Sequence, residues 1–99
     1  MTMADWLNEH TSQAPIALQT RVRQYAMQAR GASIPEVLAA AGQMALDQVL
    51  SHPGDRSAAL DLLAADALIT LALLAQAESS PQGLEEFATL VLQVARTNS

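Results

Sequence analysis

Residues 56–78, RSAALDLLAADALITLALLAQAE, decide how the rest of the chain is read. The run holds no Gly or Pro, and Ala and Leu, both strong helix formers, fill most of it. At about 100° per residue its large side chains spread over most of the helix circumference. Only the sector of Asp61, Ala65, Ala72 and Gln76 lacks bulk. A helix that is apolar nearly all round is buried nearly all round, so this segment is predicted to be the central element of the fold.

The same run must be weighed as a membrane span. Between residues 58 and 75 only Asp61, Asp66 and Thr70 interrupt the apolar character. Two mid-helix aspartates cost about 5–7 kcal/mol on the insertion scale, and the eight Leu and Ile return roughly 2–5. The balance opposes insertion, and no membrane span is predicted.

Working outward, His52-Pro53-Gly54-Asp55 breaks the chain before this helix, with Asp55 its predicted cap. Upstream, Ser33-Ile34-Pro35-Glu36 has the S-x-x-E form of a capping box and opens a helix over 34–51. Its stripe is Ile34, Val37, Leu38, Ala41, Met44, Ala45 and Val49, while Leu46 and Leu50 lie on a second face. Earlier still, Pro15 suits the first turn of a helix over 15–30, with Leu18, Val22, Tyr25, Ala26 and Ala29 as its stripe and Gly31 as its terminator. Residues 3–10 form a short leading helix capped by Thr2, with Met3, Trp6, Leu7 and His10 on one face. Downstream, Ser79-Ser80-Pro81 leads into a last helix over 81–96 with Leu84, Phe87, Ala88, Val91, Val94 and Ala95 as its stripe. The final three residues are expected to fray.

Composition agrees with an all-helical chain. Of 99 residues 51% are hydrophobic, mostly Ala and Leu, and Trp6, Tyr25 and Phe87 are the only aromatic ones. The length suits one domain. Short connections between four long helices favour antiparallel neighbours, so the expected architecture is a compact all-α bundle preceded by a short N-terminal helix. The apolar surplus on two helices predicts a second contact, satisfied by a homodimer or a protein partner. Leu46, Leu50, Asp61 and Gln76 are the candidate interface residues.

Ten carboxylates face five arginines, and lysine is absent, giving a net charge of −5. Affinity for a polyanion needs concentrated cations, so nucleic acid is not an expected partner. Arg21, Arg23 and Arg30 form at most a local basic patch on the second helix, read first as a solvated face. Without cysteine there is no disulfide or thiolate chemistry. The first residues lack the basic and apolar regions of a signal peptide, which makes the cytoplasm the default expectation.

Chemistry-bearing residues are few. His10 and His52 each lack an acidic residue three positions before, so the Glu-x-x-His pattern of bundle metal sites is missing. No P-loop, G-x-G-x-x-G or G-x-S-x-G occurs, and the serines sit where caps are needed. No cofactor, metal or catalytic set is predicted. Asp66 stands out instead: Leu62, Ile69, Leu73, Leu63 and Leu74 flank it in projection, and Thr70 lies one turn on. A carboxylate in apolar surroundings finds donors or takes up a proton. Asp66 and Thr70 are thus the candidate buried polar site, with a structural ion pair as the plainer reading. Asp61, about 140° away on the wheel, is expected at the surface or an interface.

Two functions follow as expectations. One is a non-enzymatic interaction module that self-associates as an accessory or regulatory subunit. The other is a small-molecule binder or minimal enzyme, with Asp66 and Thr70 as polar anchors and Tyr25, Met44 and Trp6 lining an interhelical pocket.

Overall fold

The computed structural model describes residues 2–52, 54 and 56–97, the last four of these by backbone alone. It contains five α-helices: α1 (Met3–His10), α2 (Ile16–Gln28), α3 (Ile34–Ser51), α4 (Arg56–Ser79) and α5 (Leu84–Thr97). A 3₁₀ turn, Pro81–Gly83, precedes α5. Among the described residues there is no strand. The four longer helices pack as a bundle with α1 laid against it, and the radius of gyration of 12.8 Å matches the ~13 Å of a compact chain this long.

Local chemistry accounts for most boundaries. The Thr2 hydroxyl accepts from the Asp5 amide at 3.1 Å and starts α1. Ser33 Oγ accepts from the Glu36 amide at 3.4 Å, and the Glu36 carboxylate reaches back to the Ala32 amide at 2.9 Å. The capping box therefore forms with its return arm one residue earlier than the standard pattern. The predicted cap Asp55, its neighbour Pro53, the side chains of Val94 and Ala95, and Asn98 and Ser99 lie outside the described residues.

Two boundaries differ from expectation. The 3₁₀ turn takes the place of the first turn of α5. In addition, α2 ends at Gln28 because Ala29 is extended, with φ −78° and ψ 157°. Gly31 then has a different role from a left-handed helix terminator. A Cβ there would lie 2.9 Å from the Val37 amide nitrogen and 3.0 Å from Glu36 Cβ, so glycine lets the connection cross close over the start of α3.

The core is built mainly of small residues. Eight of the sixteen buried apolar side chains among the described residues are alanines, while Leu38, Leu68 and Val22 are the largest that are fully enclosed. Helix α4 is central, with its most extensive contact against α3. There Gly42 of α3 nearly touches α4: an added Cβ would meet Ile69 Cγ1 at 3.0 Å and Leu68 Cβ at 3.5 Å. Close approach of this kind needs small residues on both partners: Ala41, Gly42 and Ala45 are buried on α3, and Ala64, Ala65 and Ala72 on α4.

Burial of α4 nearly all round does not occur. The face turned inward is the small-residue one: Asp61, Ala64, Ala65, Leu68, Leu71, Ala72 and Ala75 are buried. On the other side Leu62, Leu63 and Leu74 are 53%, 56% and 41% exposed. Tight packing on α3 through alanines sends the bulkier residues outward. By length and composition α4 would suffice to cross a membrane, yet its inner face is committed to the bundle.

Candidate functional site

The one charged residue buried among the described residues is Asp61. Its Oδ1 accepts from Arg21 Nη1 at 2.6 Å and from the Tyr25 hydroxyl at 2.8 Å. Arg21 and Tyr25 stand four residues apart on α2, so successive turns of one helix deliver both donors to one oxygen. The Asp61 side chain is 8% exposed and that of Arg21 29%, so the carboxylate is enclosed while the guanidinium still reaches solvent. Enclosing a carboxylate is costly unless donors replace its water, and here a charged and a neutral donor do so. Burial, followed by the bond to Asp61 and its charge, pushes the Tyr25 phenol above its ordinary value of 10, with Arg21 opposing. Tyr25 therefore remains a donor throughout the neutral range.

This cluster sits at the edge of a groove of about 360 Å³ between α2 and α3. Arg21 and Tyr25 of α2 and Met44 of α3 form its wall, and Gln24, Gln28, Asp47 and Gln48 form its polar rim. The rim amides can each donate and accept, Asp47 accepts, and Met44 with the Tyr25 ring supplies apolar contact. These residues can orient a small polar molecule; they include no paired nucleophile and base.

A second polar cluster fastens α1. Trp6 is buried, and its indole Nε1 donates to Glu78 Oε1 at 3.1 Å. His10 stacks on Trp6 with ring centroids 3.9 Å apart and places Nε2 3.4 Å from Glu78 Oε2. The His10 imidazole is held above its ordinary value of 6.5, first by its hydrogen bond to the Trp6 carbonyl and then by Glu78, with burial opposing. Trp6 is thus part of the docked α1 and does not line the α2–α3 groove.

Asp66 and Thr70, the candidate buried pair, are both exposed on the outer face of α4. The buried carboxylate is Asp61, and the reason is the inverted orientation of α4. Asp61 consequently leaves the candidate interface set: it is an internal ion-pair partner. Of the other members, Leu50 is 49% exposed, Leu46 packs half-buried against the core, and Gln76 bonds the Ser80 carbonyl across the α4–α5 connection. The three arginines do not share a surface patch: Arg21 turns to Asp61, Arg23 donates to Asn8 of α1, and Arg30 lies exposed beyond the end of α2. Among the described residues no group of three His, Asp or Glu side chains is placed to hold a metal.

Sequence reading missed the Asp61 cluster, although a signal existed. Asp61, Ala65, Leu68, Ala72 and Ala75 recur at spacings of four and three, the seam of a close-packed helix. Arg21 and Tyr25 at i and i+4 were the matching donors on α2. No family model, no curated protein and no solved structure matches the chain.

Proposed function

We propose that the protein is a helical binding module for a small polar molecule, held in the α2–α3 groove beside the Arg21–Tyr25–Asp61 cluster. The observation carrying this reading is that one side of the groove is preorganised: Asp61 locks Arg21 and Tyr25 in place from behind. Asp61 neutralises Arg21, and Asp47 leaves the groove with a net negative charge. A neutral or singly cationic ligand bearing hydroxyl or amide groups suits it best, and an anion suits it least. The anchors are therefore Tyr25 and Arg21 with the glutamine rim, in place of Asp66 and Thr70.

The test is side-chain amide NMR of Gln24, Gln28 and Gln48 during titration with neutral polyols, simple amides and monoamines. Binding shifts these signals, and in the Gln28→Leu/Gln48→Leu variant, whose changes are at exposed or rim positions, the remaining Gln24 signal no longer moves. If no probe moves them, or the shifts fall on another surface, the reading fails.

A second reading, a self-associating accessory or regulatory module, is favoured by the leucines that α4 leaves outside. Light scattering over a wide concentration range tests it, and a chain that stays monomeric throughout overturns it.

A further inference from the structure

A second groove, of about 330 Å³, lies where α1, α2 and α3 meet. Its wall is apolar: Met3 and Leu7 stand one turn apart on α1, Ala26 and Met27 come from α2, and Val37 comes from α3. Leu7 and Ala26 are buried, Met3 and Val37 are half-buried, and Met27 is 73% exposed. Methionine side chains are flexible and polarisable and repack around varied apolar shapes, so two of them suit a wall that closes on a guest.

Arg23 is the one charged residue on the lining. It precedes Met27 by one turn on the same face of α2, so a cation and an apolar wall follow one another along that helix. Arg23 donates to Oδ1 of Asn8 on α1 and forms no ion pair among the described residues. Asn8 takes one of its five donors and offsets none of its charge. Arg21, by contrast, is neutralised by Asp61.

We propose that this groove binds a medium-chain monocarboxylate, its alkyl chain against Met3, Leu7, Met27 and Val37 and its head group on Arg23. The guanidinium fork matches a carboxylate in geometry as well as in charge. The protein's net charge of −5 favours a singly charged head group over a phosphate dianion. The volume lies near the bottom of the ~300–1,000 Å³ range of ligand clefts, which suits a medium chain and not a long acyl chain. This site is separate from the α2–α3 groove, which suits an anion least, and neither depends on the other.

Methyl NMR of the methionines tests the proposal, with hexanoate, octanoate and decanoate as probes and the alcohols of the same lengths as neutral controls. Met44, in the α2–α3 groove, is the internal reference. The carboxylates should shift Met3 and Met27 and leave Met44 still. Affinity should rise up to about fourfold per added methylene, as burial of CH₂ groups implies, until the groove is full. Each carboxylate should bind about tenfold or more tightly than its alcohol, the margin of a charge-assisted hydrogen bond. Arg23→Gln, an exposed change that keeps a donor for Asn8, should bring the carboxylate down to the level of the alcohol and leave the alcohol unchanged. A preference that survives Arg23→Gln, or no preference in the unaltered protein, overturns the head-group assignment. The site itself is overturned by shifts confined to Met44, by no shift at all, or by Met3 and Met27 signals that move with protein concentration alone, which would give the groove to a second copy.

Discussion

Asp61 and Asp66 stand five residues apart on α4 and occupy different media. The first is enclosed with two donors on one oxygen; the second is exposed on the face that carries Leu62, Leu63 and Leu74. The contrast extends to whole faces. The inner face carries Ala64, Ala65, Ala72 and Ala75, and the outer one Leu62, Leu63 and Leu74. Hydrophobicity alone would turn the leucines inward. Close approach to α3 at Gly42 turns the alanines inward, and the ion pair with α2 forms on the same side. Backbone proximity and a specific polar contact therefore set the orientation of a helix whose apolar residues do not.

The contrast is sharpest when the two aspartates are removed in turn. Asp61→Ala leaves the Tyr25 hydroxyl and the Arg21 guanidinium without their acceptor and should cost about 2–4 kcal/mol in urea unfolding. Asp66→Ala should stay within about 0.5 kcal/mol, as surface changes do. Next comes packing. Ala72→Leu on the inner face should destabilise by about 1–3 kcal/mol through overpacking against α3, while Leu63→Ala outside should cost under about 1. Thermal melts of the pair check the order, and equal losses would break the distinction between the faces.

Smaller effects belong to the clamp on α1. Glu78→Gln keeps an acceptor for the Trp6 indole but removes the charge facing His10, and should loosen α1 by about 0.5–1 kcal/mol, read from the fluorescence of the single tryptophan. The pH dependence has a definite sign. Because the folded imidazole of His10 is held above 6.5, its contribution is complete below that value and declines as pH rises through the folded pKa. The stability difference between the wild type and His10→Gln should shrink as pH rises above about 6.5, and a difference that grows with pH would contradict the assignment.

The fold was largely legible in the sequence. Thr2, Ser33 with Glu36, Pro35 and the breakers around Gly54 and Pro81 act locally, so α1, α3 and α4 begin and end close to where their residue types imply. The stripe Val22, Tyr25 and Ala26 likewise faces the core. The site was less legible because it depends on which side of α4 turns inward. Leucine and alanine are both apolar, and the choice rests on interhelical distance, which belongs to a pair of helices rather than to one. Asp66 drew attention through its leucine neighbours, yet those neighbours are themselves at the surface. Asp61 became the buried group through Arg21 and Tyr25, forty and thirty-six residues away.

Thiol labelling tests that inversion most directly. With no native cysteine, Ala72→Cys on the inner face and Leu63→Cys on the outer one can each be reacted with a thiol reagent, at dilution that keeps the chain monomeric. The account predicts that the thiol at 63 reacts at the rate of a free thiol, and that the thiol at 72 reacts at least about a thousandfold more slowly, only when the fold opens. Fast labelling at 72 with protection at 63 would mean that α4 faces the other way, and the Asp61 cluster with its groove would fall with it.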